Sequence, residues 1–240
     1  SIARQIQLGS LPSVTPKIAG LDISGVSIPA LEVGGDFFDY LDGSGNAVMV
    51  IVGDVSGKGT SAALYMSKVQ GILRSLHQFN LTPQELFLRA NRLLCADLQK
   101  NSFITASAAL FLPQQRQVKL VRAGHLPLFL YRSLTGSVER IVPHGLGLGL
   151  SDAAIFASEL EERAQDYAEG DILVLVTDGV TEARDPAGQE YGEDRLSEVI
   201  RTSATLTAEE IRDRVLADLL AFSGGDDPHD DQTVVVVRTS

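Results

Sequence analysis

The 240-residue chain contains one cysteine, no tryptophan and two methionines, and its 20 Lys and Arg are outnumbered by 31 Asp and Glu. With Cys95 alone there can be no intramolecular disulfide and no multi-cysteine zinc site, which fits a reducing, cytoplasmic setting. Cys95 stands in an apolar helical stretch and reads as a small core residue rather than a reactive thiol. The net charge of -11 argues against nucleic acid or direct contact with an anionic membrane surface, because both attract basic patches. No run approaches the roughly 20 apolar residues of a membrane-spanning helix. A Gly-x-Ser-x-Gly elbow is also missing, as is a cysteine set against a phosphate-cradling loop, so covalent hydrolysis has no obvious nucleophile.

What is present is an ordinary globular mixture, 44% hydrophobic and 21% charged, which folds rather than remaining disordered. Helical patterns cover 61–78, a segment opening at Thr82, and 207–222. Thr82 with Glu85 and Thr207 with Glu210 form capping boxes, and Pro83 suits a first helical position. Short Val, Ile and Leu runs bounded by Gly, Pro and Asp predict strands at 17–28, 37–41, 47–52, 104–112, 117–122, 126–132, 138–141, 155–160, 172–176 and 233–238. The runs 47–52, 172–176 and 234–237 are apolar at every position, so both faces of each are expected to be covered. Mostly consecutive strands with paired helices predict an α+β fold of two packed sheets flanked by helices.

The most apolar strands begin or end on acids. Gly53-Asp54 follows the first, Asp178-Gly179 follows the second after Thr177, and Asp230-Asp231 precedes the last. Gly34-Gly35-Asp36 opens a fourth. A carboxylate at the edge of a core loses hydration, and several together repel one another. With few His and no Cys nearby, the fitting compensation is a hard divalent ion such as Mg2+ or Mn2+. Gly35, Gly53 and Gly179 allow close backbone approach, and a carbonyl beside Asp54 can add an oxygen ligand. Two such ions would clamp a water and a phosphate for in-line attack. Gly53-Asp54-Val55-Ser56-Gly57-Lys58-Gly59-Thr60 fails as a Walker loop, because its spacing is one residue short and Gly59 replaces the Ser or Thr that holds Mg2+.

Five ordered motifs carry a family resemblance: Glu32-Val33-Gly34-Gly35-Asp36-Phe37-Phe38-Asp39, Gly53-Asp54-Val55-Ser56-Gly57-Lys58-Gly59, Ala123-Gly124-His125-Leu126-Pro127, Thr177-Asp178-Gly179-Val180-Thr181-Glu182-Ala183 and Asp230-Asp231-Gln232-Thr233. Together they resemble the PPM (type 2C) metal-dependent serine/threonine protein phosphatases, in their bacterial SpoIIE/RsbU branch. The resemblance implies an α-β-β-α sandwich of two mainly antiparallel sheets, with two Mn2+ or Mg2+ ions at one end. It makes Asp54 and Asp178 the central catalytic acids. Asp54 would bridge both ions, Val55 would offer its carbonyl, Asp36 would serve the second ion, and Asp178 and Asp230 would hold the first. Asp231 is the substitute for Asp230.

Lys58 and Gly179 are read as substrate-side residues, and Gly35, Gly53, Gly57, Gly124 and His125 as structural members of the motifs. The resemblance further implies a phosphorylated anti-sigma-factor antagonist of the STAS type as substrate. It also implies an upstream sensor or receiver domain in cis and pairing of two copies through the N-terminal helix. Residues 1–16 are accordingly read as the end of a linker helix and 17–240 as one phosphatase domain. Two departures stand out. Leu31 occupies a position that is often Arg in this branch, and Val55-Ser56 replace the His that eukaryotic members carry near the bridging Asp. The alternative reading is a catalytically weak, phosphatase-like adaptor that sequesters its partner.

Overall fold

In the computed structural model, which describes residues 2–98, 102–225 and 227–240, the chain opens with helix α1 (Ile2–Ser10). Strands β1 (Leu21–Ile28), β2 (Phe37–Asp42) and β3 (Val48–Val55) follow, then helices α2 (Thr60–His77) and α3 (Pro83–Asp97). Next come β4 (Ile104–Leu112), β5 (Gln117–Ala123), β6 (Leu128–Arg132), β7 (Ser137–Ile141), helix α4 (Ala153–Glu159), β8 (Glu162–Asp166) and β9 (Ile172–Val176). A short helix α5 (Asp178–Thr181), helices α6 (Gly192–Thr202) and α7 (Ala208–Phe222), and strand β10 (Gln232–Thr239) complete the chain. Ser1 of the expected 1–16 linker lies outside the described residues. No helix among the described residues is long and apolar enough to cross a membrane.

Two five-stranded sheets result, one ordered β1-β10-β9-β6-β7 and the other β2-β3-β4-β5-β8, and every strand pairing within them is antiparallel. The period of two along each strand divides its side chains between two cores. Val48, Val50 and Val52 of β3 meet Leu173 and Leu175 of β9 and Val235 and Val237 of β10 between the sheets. The alternate residues Met49 and Ile51 pack on Met66, Val69, Leu86 and Phe87 of α2 and α3. On the other side Val174, Val234 and Val236 pack on Leu196, Ile200, Ile211 and Val215 of α6 and α7. Each such Val or Leu contributes about 1.5–3 kcal/mol on burial, so the doubly covered strands anchor the α-β-β-α sandwich. Both capping boxes form: Thr82 Oγ1 accepts from Glu85 N at 3.2 Å while Glu85 Oε2 accepts from Thr82 N at 2.9 Å, and Thr207 pairs with Glu210 in the same way.

Three expectations are corrected. The run 155–160 is not a strand but the body of α4, because Asp152 caps it with Oδ1 accepting from Ala154 N at 2.9 Å and Ile155 N at 3.0 Å. The strand lies just beyond, in β8, whose Glu-Arg-Ala-Gln-Asp sequence has no apolar alternation because it is an edge strand where charge is tolerated. Cys95 is exposed rather than in the core, with Sγ donating to the Ser151 carbonyl at 2.9 Å. The strand expected from residue 17 begins at Leu21.

Candidate metal centre

Antiparallel pairing sets the start of β2 beside the end of β3, with Phe37 opposite Gly53. It likewise sets the end of β9 beside the start of β10, with Val176 opposite Val234. Both junctions fall at one end of the sandwich, which is why acids far apart in sequence meet. Asp54, Asp178, Asp230 and Asp231 line a cavity of about 260 Å³ together with Leu31 and Lys58. Asp36 does not open onto it. That carboxylate is buried behind Asp54, and its Oδ2 accepts hydrogen bonds from Thr177 Oγ1 at 2.5 Å and Thr233 Oγ1 at 2.7 Å, both from the opposite sheet.

Crowding is written into the acidities. Burial, then repulsion from Asp178, Asp230 and Asp231, pushes the Asp54 carboxyl up to about 7. Burial and the Asp54 charge hold Asp36 well above the usual carboxylate range. Burial and Asp230 raise Asp178 as well. Such a cluster favours any cation that enters it. Among the described residues, however, no group of three or more His, Cys, Asp and Glu side chains stands as a ready-made cation cage. The acids are held apart on the cavity wall, and one of them is tied to a lysine: Lys58 Nζ lies 2.6 Å from Asp230 Oδ2.

Asp231 has a different occupation from its neighbour. Its Oδ1 accepts from Ala30 N at 2.9 Å and its Oδ2 from Gly35 N at 2.8 Å, so both oxygens are spent on the 30–36 loop. A Cβ at Gly34 would collide with this carboxylate, and one at Gly179 with the Asp231 carbonyl. At Gly35 a Cβ would sit 2.7 Å from the Val55 carbonyl oxygen, the backbone oxygen ligand expected beside Asp54. Gly53 is packed as closely, under the Phe37 ring.

His125 joins the two sheets. Its Nε2 lies 3.0 Å from the Val176 carbonyl, which only accepts, so Nε2 carries the proton and Nδ1 accepts from Thr105 Oγ1 at 2.9 Å. Burial drives its pKa down to about 4, keeping the ring neutral. Gly124 beside it has φ 64° and Gly57 φ 99°, conformations that disfavour a side chain. Ser56 is taken up structurally, its Oγ accepting from Phe103 N at 2.9 Å.

The sequence reading did not single out Thr177 or Thr233 as partners of Asp36, although each threonine lies within two residues of an acid beside an aliphatic run. It also missed Gln7. That side chain reads Gly34 on both sides, Nε2 donating to Gly34 O at 2.5 Å and Oε1 accepting from Gly34 N at 3.0 Å. No local pattern announces a contact that spans 27 residues.

Two antiparallel sheets between helical layers, with acids from four strand ends gathered at one edge, define a PP2C-type phosphatase domain. The family model described as stage II sporulation protein E (SpoIIE) matches residues 44–240. The chain therefore belongs to the SpoIIE family. It is 29% identical over 237 residues to the phosphoserine phosphatase RsbU of Bacillus subtilis, covering 99% of this chain and 69% of that protein. With protein IcfG of Synechocystis it shares 27% identity over 98% of its own length but only 40% of IcfG. The fold matches the PP2C domain of SiaA from Pseudomonas aeruginosa with a TM-score of 0.86 at 20% identity, over 100% of this chain and 95% of that one.

Proposed function

We propose that this domain hydrolyses phosphoserine or phosphothreonine on a regulatory protein, with water activated between two divalent cations, Mn2+ or Mg2+. The observation that carries the reading is the gathering of Asp54, Asp178 and Asp230 on one cavity with Asp36 buried behind it. The donor set fits the metal: carboxylates with a carbonyl nearby suit hard ions, and an Asp54 whose charged form is disfavoured by its neighbours gains most from one. Asp54 would be shared by both cations, Val55 would add its carbonyl, Asp36 would serve the second, and Asp178 and Asp230 would hold the first. Asp231, with both oxygens engaged by backbone, positions the loop that carries Asp36. When bound, the cations supply a water of lowered pKa and neutralise charge on the phosphoryl oxygens.

The chain's own contribution is placement. Thr177 and Thr233 fix the Asp36 carboxylate from the opposite sheet, and His125 holds the sheet ends together. His125 has both ring nitrogens engaged, so it is not offered as proton donor to the leaving group. Gly179 lines a second cavity of about 350 Å³ with Glu182, Arg184 and His229, where the polypeptide flanking a phosphoresidue can lie.

The phosphoserine phosphatase name of RsbU supports the phosphoserine choice. Within a cytoplasmic partner-switching pathway the substrate is a phosphorylated, STAS-type anti-sigma-factor antagonist. An upstream sensor or receiver domain acts through residues 1–16, and two copies pair through α1, where Ile2 and Ile6, one turn apart, are 76% and 67% exposed. Hydrolysis of an aryl phosphate with Mn2+, before and after chelation, tests the chemistry in this chain and in Asp178→Asn. Activity lost on either treatment is expected. Chelator-resistant turnover would overturn the two-metal reading, and no turnover with the metal present would favour an adaptor.

A further inference from the structure

Asp230 has two carboxylate oxygens and two partners. Oδ1 accepts from Asp231 N at 3.0 Å, a fixed backbone contact, while Oδ2 faces the Lys58 ammonium at 2.6 Å. Lys58 therefore occupies the oxygen of Asp230 that has no backbone partner. The ammonium also donates to the His229 carbonyl at 3.1 Å, in the segment that leads into Asp230. The two side chains remain 57% and 45% exposed. An ion pair this wet costs little to break.

The loop carrying Lys58 is suited to letting go. Gly57 and Gly59 flank it with φ of 99° and 72°, and neither has a heavy atom near where a Cβ would stand, so the loop is not packed in place. Lys58 and Asp230 both line the 260 Å³ cavity that holds Asp54 and Asp178, and both line the 350 Å³ cavity toward Arg184. Their ion pair thus stands between the two spaces. Lys58 is also the one basic side chain lining the 260 Å³ cavity among the described residues.

We propose that Lys58 is a displaceable counter-ion of Asp230: a divalent cation taking Asp230 releases the ammonium, which then binds the phosphate oxygens. The proposal rests on the phosphatase reading above. Its electrostatics run in two directions. A unit positive charge at Asp230 opposes cation binding, so the protein holds its metal less tightly than the acids alone would allow. Once displaced, the same charge beside the phosphate strengthens anion binding, so cation and phosphate bind with positive coupling.

Calorimetric titration separates these effects. Mn2+ is titrated into the wild-type chain, Lys58→Gln, and Lys68→Gln as a control that removes the same charge where the ammonium is spent on Asp97 at 2.9 Å. Inorganic phosphate is then titrated into each at saturating Mg2+. Lys58→Gln is expected to bind Mn2+ roughly two- to fivefold more tightly and phosphate roughly fivefold or more weakly, with Lys68→Gln unchanged in both. Equal or weaker Mn2+ binding by Lys58→Gln overturns the counter-ion role, as does an equal gain in Lys68→Gln. Tighter Mn2+ with unchanged phosphate overturns the delivery step. If the wild-type chain takes up no Mn2+, the two-metal reading itself fails and carries this inference down with it.

Discussion

Thr105 lies on β4 and Val176 on β9, strands of different sheets, and the His125 ring spans them. That contact requires a neutral imidazole, because a second ring proton would face the Thr105 hydroxyl from which Nδ1 now accepts. The folded pKa of about 4 lies below the 6.5 of a free imidazole. Below about pH 6.5 the unfolded chain therefore binds a proton that the folded chain refuses, and stability is lost as pH falls toward 4. Between pH 7 and pH 5 the loss is about 2 kcal/mol. Asp54 works in the opposite direction, since its raised pKa makes the folded chain the better proton acceptor between about pH 4 and 7. The clean measurement is thus a difference: urea unfolding of wild type and His125→Gln at pH 7 and pH 5. The wild type should lose about 2 kcal/mol more than the variant over that interval, and parallel losses would show that the ring is not the titrating group.

At the scale of elements, α1 is bonded to the chain that follows it. Gln7 grips both backbone groups of Gly34, and the Ser10 carbonyl accepts from Arg74 Nη2 at 2.6 Å, whose guanidinium also holds the buried Asp39. The 30–36 loop is thereby held by α1 on one side and by Asp231 on the other. Removing the Gln7 amide leaves buried Gly34 groups without partners, at a cost of about 1–3 kcal/mol. Gln7→Ala should destabilise the chain by that amount and speed hydrogen exchange across 30–36, while exchange across α7 keeps its wild-type order. Unchanged protection of 30–36 would mean that α1 does not hold the loop. The same scale explains the misread run 155–160. Apolar spacing alone was ambiguous over so short a stretch, and the Asp152 cap decided for helix.

For the whole molecule, folding gathers acids that repel one another at one end of the sandwich, and stability there is given up for a charged site. A cation that binds the folded chain should recover it by mass action. Thermal unfolding in excess chelator, compared with millimolar Mn2+, is expected to show a higher midpoint with metal for wild type. Asp54→Asn should melt higher than wild type in chelator, by about 1 kcal/mol or more in stability, and respond little to Mn2+. A variant that melts lower in chelator would mean that Asp54 is structurally supported rather than strained.

Much of this architecture was legible along the chain. Apolar runs at 47–52, 172–176 and 234–237 could only be strands covered on both faces, and the capping boxes at Thr82 and Thr207 marked helix starts, because both signals are set by neighbours within a few residues. The acids next to those strands were legible for the same reason. The division of labour among them was not. Asp230 and Asp231 are adjacent and chemically identical, yet one is ion-paired to Lys58 at the cavity edge and the other bonds Ala30 and Gly35. Asp36 took its threonines from the opposite sheet, Gln7 its glycine from 27 residues away. Local sequence determined which segments are strands and where carboxylates end them. Only the packing of one sheet on the other decided which carboxylate bonds backbone and which faces the cavity, because a hydrogen bond is assigned by proximity in space, and proximity across the sandwich is written in no single stretch of chain.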